Sequence, residues 1–565
     1  MDLAQECAAE AAKLTVPGLL RRNAERFAGE PALTTAADTV TWSNLRNQVA
    51  GFAHGLARLG LAPGERLLIM MSSRPEHWVT DLAAAHLRAL PCTAYHTLST
   101  EQIRYVARHS AATVVVLEGA AELDRWRPVL GDLPALRHVV VLEDVELPGD
   151  SRFVHWADVL RRGTAAHRAD PAAFEGFTDA IEPHEPVGMM YTSGTTGDPK
   201  GVVLTHYNVI YEAVALDRLV PMADHAPTIA YLPLAHIAER ELAIYRALYK
   251  ASHVHICPEP AQAVTTLARV RPPSFFGVPR VWEKLAAALQ AAFAATPEDQ
   301  RGAILTQLGL DGLQWPGSGS APLPAPVREF LASAGIDVHE VWGMSETTGC
   351  ATANIPGAAK PGTVGRPLPG VGLRIAGDGE IFVRGPIVFS GYLRADGTVE
   401  KVTDADGWLA TGDIGNLDED GYLTITDRKK ELIITSSGKN VAPTKIEGLL
   451  KAHPLVGHAV AVGEGRPYLT ALIALDEEAA PAWAKARGIS GSLAYLAGHP
   501  TVREEMSKLV AAVNGQLARA EQIKKHSILP EAWSPESGEL TPTLKLKRRV
   551  LHDRFAHEIE ALYRD

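Results

Sequence analysis

Cysteine is scarce in this chain. Its four residues, Cys7, Cys92, Cys257 and Cys350, stand far apart, with no pair at metal-ligand or redox-motif spacing. That excludes a disulfide-stapled scaffold and a Cys-ligated zinc site, and reduced packing residues of a cytoplasmic protein are expected. Long apolar runs are missing too: no stretch approaches the ~20 uninterrupted apolar residues of a bilayer-spanning helix. The opening MDLAQECAAEAAKL carries acid early and lacks a basic segment followed by an apolar run, so it does not read as a secretory signal. Nor is there a surplus of basic residues: 55 Lys and Arg face 66 Asp and Glu, a net charge of −11. A nucleic-acid binder, basic on at least one face, is not indicated. No fixed-period repeat is present, which excludes a solenoid.

What the chain does have is apolar material for several cores. At 565 residues, 46% hydrophobic and 21% charged, a soluble globular protein of two or more domains is expected. The first half alternates helix-like and strand-like segments. Residues 45–59 space their apolar side chains as a helix and stop at Gly60; 66–71 reads as a buried strand, 75–90 as a helix and 91–95 as extended chain. Residues 113–117 and 138–142 are near-continuous β-branched runs, as parallel strands buried on both faces should be. Residues 170–184 read as an acidic, irregular surface connection, 208–219 as a helix, 231–236 as a strand ending in His236, and 274–284 as an aromatic extended segment.

Beyond Gly357 glycine and proline become frequent and the strands short and antiparallel in pattern, with a turn at 418–421 joining 414–417 to 422–426. The predicted fold class is therefore α/β: a large N-terminal domain, residues 1–429, of layered α/β subdomains plus a β-rich subdomain. A small α+β C-terminal domain, residues 430–565, follows, with the boundary at the charged tetrad Asp427-Arg428-Lys429-Lys430. In the helix after Pro75, His77 and Asp81 form an HxxxD pattern, read here as i,i+4 neighbours on an exposed helix face rather than an acyl-transfer base.

The stretch with the densest chemistry is 191–204, YTSGTTGDPKGVVL. A loop of Thr192, Ser193, Gly194, Thr195, Thr196, Gly197 and Lys200 between two apolar strand-like segments suits an anionic phosphate chain. Glycine lets backbone N–H groups approach, the hydroxyls add donors and Lys200 adds charge. It is not a Walker A loop, because Asp198 and Pro199 separate Gly197 from Lys200. Further along stand a small-residue turn at Gly319-Ser320-Ala321, the run Val341-Trp342-Gly343-Met344-Ser345-Glu346-Thr347, the tripeptide Thr411-Gly412-Asp413, the Ser437-Gly438-Lys439-Asn440 loop, and GELTPTLKLKRR containing Lys545. The run at Ser345 nearly fits a hydrolase GxSxG elbow but fails it at Thr347.

In this order, these stretches resemble the adenylate-forming enzymes, which include acyl-CoA synthetases, luciferases and peptide-synthetase adenylation domains. The resemblance covers most of the chain after about residue 185. It implies ATP, Mg²⁺ and coenzyme A as cofactor and co-substrates. Residues 192–197 and Lys200 would bind the triphosphate, with Mg²⁺ on Thr192 and Glu346. Gly319, Ser320 and Ala321 would lie along adenine, Trp342 with Gly343 would stack on the base, and Ser345 would touch the α-phosphate. Asp413 and Arg428 would hold the ribose, Lys430 would be the hinge, Gly438 would line the thiol tunnel, and Lys545 would be the catalytic lysine. Trp342 and Ser345 stand where the family more often has Tyr and Thr. Lys547, Arg548 and Arg549 are expected on the surface, near the nucleotide phosphates of coenzyme A.

Residues 231–240, YLPLAHIAER, and the stretch from Ala520 to Lys545 resemble long-chain fatty acyl-CoA synthetases more than aryl or acetyl ligases, and by that likeness His236 borders the acyl tunnel. The expected activity is ATP-dependent conversion of a long-chain fatty acid to acyl-AMP and then to its CoA thioester. The alternatives are transfer to a carrier-protein phosphopantetheine, a medium-chain or aryl acid ligase, or an inactive nucleotide sensor. The expected location is cytoplasmic, with transient contact at a membrane surface; the oligomeric state stays open.

Overall fold

The β-branched runs form the seventh and eighth strands of a nine-stranded sheet. The computed structural model describes residues 2–192, 198–535, 537–541 and 545–564. Across that sheet the strands run Val399–Glu400, Gly391–Leu393, Lys200–Thr205, Pro186–Thr192, Leu90–Thr93, Arg66–Met70, Val114–Leu117, His138–Val141 and Phe153–His155. The six from Pro186–Thr192 onward are parallel, while the phosphate-loop end is antiparallel. Two apolar clusters, one on each face, bury the central strands completely, which is why Val114–Leu117 needs no polar alternation.

The helix predicted at 45–59 is Trp42–Arg58: Thr41 caps it by accepting from the Asn44 N–H, and Gly60 leaves it at φ +80°. Two expectations fail. The connection at 170–184 contains the helix Pro171–Asp179, capped by Asp170 and anchored by buried Phe174 and Thr178. The segment at 274–284 is extended only over Ser274–Gly277. Pro279, with its φ preset, then opens the helix Pro279–Ala294.

A second mixed sheet places Ser274–Gly277, Trp315–Ser318 and His339–Trp342 in parallel, with Thr352–Ala353 and Arg366–Pro367 antiparallel beyond them. The expected β-rich portion is a four-stranded antiparallel sheet of Gly372–Ile375, Glu380–Arg384, Leu409–Leu417 and Leu423–Arg428. From Ile433 a separate apolar cluster begins. It packs helices Pro443–Lys451 and Pro500–Asn514 against the sheet of Val456–Val462, Leu469–Leu475 and Ile523–Leu529. Two ion pairs, Arg280 with Asp476 and Lys284 with Glu478 (3.1 Å), fasten this unit to the helix Pro279–Ala294.

His77 and Asp81 are buried, contrary to their expected exposure. Asp81 accepts two bonds from Arg240, at 2.7 and 3.0 Å, and His77 Nε2 meets the Thr93 hydroxyl at 2.9 Å. Arg240 is 0% exposed and also donates to the Tyr245 hydroxyl at 2.8 Å. This is a structural network through the domain centre, where burial beside the Arg240 cation pushes His77 down to about 3.

Candidate functional site

The two strands around the phosphate loop bring Thr192 and Lys200 directly opposite each other, so the loop leaves and rejoins the sheet at one rung. Ser193, Gly194, Thr195, Thr196 and Gly197 lie outside the described residues. Gly201 has a packing reason for being glycine: a Cβ there would meet Met189 Cε at 2.9 Å and Leu393 Cβ at 3.2 Å. The Lys200 ammonium lies 4.6 Å from the centre of the Tyr392 ring.

Trp342 ends its strand and Ser345–Thr347 forms a single 3₁₀ turn behind it. Gly343 is obligatory between them, because a Cβ would fall 2.2 Å from the Gly349 carbonyl oxygen. The turn presents Glu346, 6% exposed, whose Oε1 accepts a hydrogen bond from the Tyr392 hydroxyl at 2.7 Å. Its main-chain carbonyl accepts from Phe389 N–H at 3.0 Å, tying the turn to the segment that leads into Tyr392. Burial and the Glu346 carboxylate push the Tyr392 phenol up.

At the other end of the turn, the Trp342 indole N–H donates to Asp413 Oδ2 at 2.8 Å. Trp342 is 8% and Asp413 5% exposed, so this is a buried hydrogen bond to a carboxylate. Arg428 stands directly across the strand pair from Asp413, its Nε 3.1 Å from Oδ1. That approach is poorly angled, and Oδ1 is a buried acceptor without a hydrogen bond. A hydroxyl donor from a ligand is what such an oxygen lacks. The Asp427 carboxylate accepts from the Arg428 main-chain N–H at 2.7 Å, not from its guanidinium, and from the Thr444 N–H and hydroxyl at 3.0 and 2.9 Å.

Gly319 is buried against Val341 and Phe276 at the end of its strand, while Ser320, at φ +70°, and Ala321 are exposed at the turn. His236 does not end a strand; it caps the short helix Ile237–Arg240, Nδ1 accepting from Ala238 N–H at 3.3 Å. Burial, reinforced by the Lys545 cation, pushes His236 down to about 4, so the ring is neutral at pH 7.

Lys545 comes from the C-terminal unit and is tied to Thr541 by two bonds: the Thr541 N–H donates to the Lys545 carbonyl at 2.8 Å, and the Lys545 N–H to the Thr541 hydroxyl at 3.0 Å. Burial lowers its pKa and the Arg428 cation lowers it further, while the carboxylates of Asp413, Glu431 and Glu346 oppose the shift. Lys545, His236, Glu346, Asp413 and Arg428 therefore share one electrostatic neighbourhood, with Trp342 and Tyr392 as its hydrogen-bonded struts and Lys200 joined through the Tyr392 ring.

Lys430 is exposed just beyond the strand Leu423–Arg428, and Gly438, at φ +76°, turns the hairpin between Ile433–Ile434 and Asn440–Val441. Among the described residues, no hydrogen bond or ion pair ties either one to the cluster. Arg548, expected on the surface, is instead held by Glu447 at 2.5 and 2.8 Å and by Glu431 at 3.2 Å. It anchors the chain just after Lys545. Sequence reasoning also missed Tyr392, whose only signal is an aromatic residue after glycine in a short strand.

The AMP-binding enzyme family matches residues 20–393, and the AMP-binding enzyme C-terminal domain matches 430–565. The long-chain-fatty-acid–CoA ligase FadD15 of Mycobacterium bovis is 35% identical, covering 93% of this chain and 92% of its own. The long-chain-fatty-acid–CoA ligase ACSBG2 of Xenopus laevis is 28% identical over 91% of this chain and 78% of its own. The crystal structure of the anthranilate CoA ligase AuaEII with anthranoyl-AMP superposes with a TM-score of 0.75 at 21% identity, covering 98% of this chain and 99% of that one. With both units matched, residues 20–393 and 430–565, this chain belongs to the family of AMP-binding enzymes.

Proposed function

We propose that this protein is a long-chain-fatty-acid–CoA ligase. It joins a fatty acid to AMP with release of diphosphate, then passes the acyl group to the thiol of coenzyme A with release of AMP. The observation that carries the reading is the buried Asp413 carboxylate, held by the Trp342 indole with Oδ1 unsatisfied, in the same electrostatic neighbourhood as Lys545 of the C-terminal unit. The names of the relatives supply the acid class.

A carboxylate resists nucleophiles because of its own charge, and joining it to AMP removes that charge and supplies a leaving group. The step presses a carboxylate against a triphosphate, so cations must quench the crowding. Lys545 would sit between carboxylate and α-phosphate and Lys200 on the departing diphosphate. Such electrostatic stabilisation is worth on the order of 10²–10³ in rate per donor removed. The neutral His236 ring borders the acyl path. The nearby cavity lined by Tyr231, Leu242, Phe275 and Phe276 is also lined by Glu239, Arg246 and Lys250, so its wall is of mixed polarity.

Glu346, with Thr192, fits a Mg²⁺ that also takes phosphate oxygens, because its buried carboxylate is a hard oxygen ligand. Mg²⁺ would supply charge neutralisation on the polyphosphate. The ribose hydroxyls would satisfy Asp413 Oδ1.

The domain division proposed is 1–429 and 430–565, with Lys430 as the hinge. Lys429 is fixed to the first unit through Asp378 and Glu380, at 2.6 and 2.7 Å. Glu431 is fixed to the second through Arg548. Lys430 alone lies between, and rotation there would withdraw Lys545 and bring up Gly438 for thiol attack. Among the described residues no helix is long and apolar enough to cross a membrane, and transient contact with a membrane surface is the proposed route to fatty acid. Diphosphate release measured over C2 to C20 and aromatic acids, with free CoA or a carrier protein as acceptor, tests the reading. A peak at long chains with thioester formed on free CoA is expected, and absence of diphosphate release with every acid would overturn it.

A further inference from the structure

We infer that Tyr392 is a positioning residue for the phosphate end of the site: its hydroxyl fixes the Glu346 carboxylate and its ring seats the Lys200 ammonium, so that both address one polyphosphate. The strand Gly391–Leu393 runs antiparallel to Lys200–Thr205, with Tyr392 opposite Val202. Lys200 is two residues from Val202 and so on the same face, diagonal to Tyr392, where an aromatic ring reaches it. That register places the ammonium 4.6 Å from the ring centre.

The same side chain reaches the other way. Its single hydroxyl proton goes to Glu346 Oε1 at 2.7 Å, so Oε2 is the oxygen turned over to a cation. Two backbone bonds of 3.0 Å, Phe389 N–H to the Glu346 carbonyl and Ser390 N–H to the Val203 carbonyl, hold this short segment against both partners. A tyrosine touching two groups from separate motifs, with a different part of the ring system for each, sets their spacing before any nucleotide arrives.

The inference rests on the roles given above to Glu346 and Lys200, and the test separates the two levels. Calorimetric titration of the full-length protein with ATP plus Mg²⁺, ATP plus EDTA, and AMP is compared for wild type, Tyr392→Phe, Tyr392→Leu and Glu346→Gln. Loss of the hydroxyl in Tyr392→Phe should weaken Mg²⁺–ATP about tenfold, as expected for a hydrogen bond to a charged group. ATP in EDTA and AMP should stay within about twofold, which also certifies the fold. Tyr392→Leu should additionally weaken ATP in EDTA by roughly threefold, the ring having left Lys200. Tyr392→Phe matching wild type with Mg²⁺–ATP, or an equal drop for all three ligands, overturns the inference. Should Glu346→Gln keep the full Mg²⁺ advantage, the metal assignment falls and the inference with it.

Discussion

The hydrogen bond from Trp342 to Asp413 is the most direct lever on nucleotide binding. Trp342→Phe keeps an aromatic ring but removes the indole N–H, leaving Oδ2 of a carboxylate that is only 5% exposed without its donor at 2.8 Å. A hydrogen bond to a charged group contributes about 1.5–3 kcal/mol. The remaining neighbour, Arg428, is poorly aligned with Oδ1 and cannot take over Oδ2 without moving. If the freed carboxylate rotates toward Arg428, its loss of aim appears in ligand binding, and the full term corresponds to roughly 10- to 100-fold weaker affinity. Calorimetric titration with AMP, ATP and 2′-deoxy-ATP measures it. Wild type should prefer ATP over the deoxy nucleotide, and Trp342→Phe should lose both affinity and most of that preference. A variant that binds AMP within about twofold of wild type and still discriminates the deoxy sugar refutes a role for the indole in aiming Asp413.

Lys545→Ala should abolish acyl-AMP formation, a loss on the order of 10²–10³ or more, while thiolysis of supplied acyl-AMP survives; single-turnover assays of each half-reaction distinguish this from equal loss of both. Lys430→Pro should do the opposite, sparing adenylation and lowering thioester formation. Asp81→Ala strands the 0%-exposed Arg240 cation and should cost about 3–5 kcal/mol in denaturant unfolding. Asp81→Leu combined with Arg240→Met should recover much of that, and a double variant as unstable as the single one would deny that the buried charge is the cause. His77 and His206 are held down to about 3 and His86 to about 4 by burial. The unfolded chain therefore binds more protons than the folded one below about pH 6.5, so stability falls as pH drops from there toward the folded values. Each site contributes roughly 2 kcal/mol at pH 5 as an upper bound, and melting at pH 7 against pH 5 should show the drop.

Local pattern carried much of the fold. Continuous β-branched runs announced strands covered on both faces, and Gly60 stopped a helix whose spacing was plain, while its Thr41 cap and first residues went unread. The site was legible where spelling and chemistry coincide, as at Asp413, Glu346 and Lys545, which the structure brings into one neighbourhood. What stayed hidden depends on partners distant in sequence. Asp81 read as an exposed charge because Arg240, 159 residues away, is invisible to helical periodicity. Arg548 looked like part of a solvated basic run, yet Glu447 and Glu431, 101 and 117 residues earlier, draw it in. The Trp342 N–H and the Tyr392 hydroxyl are single atoms whose targets no residue count reveals. Secondary structure went astray at Pro279, where a proline after an aromatic strand starts a helix instead of prolonging extension.

The fastening between the two units has a kinetic corollary. Lys284 and Glu478 are 57% and 80% exposed, so water and counter-ions reach this clasp freely. Dissolved electrolyte screens such exposed charges progressively as the Debye length, about 8 Å at physiological strength, shortens. On the proposed rotation about Lys430, the time the C-terminal unit spends docked, and with it the tempo between the two half-reactions, should then vary with ionic strength, the clasp supplying the delay.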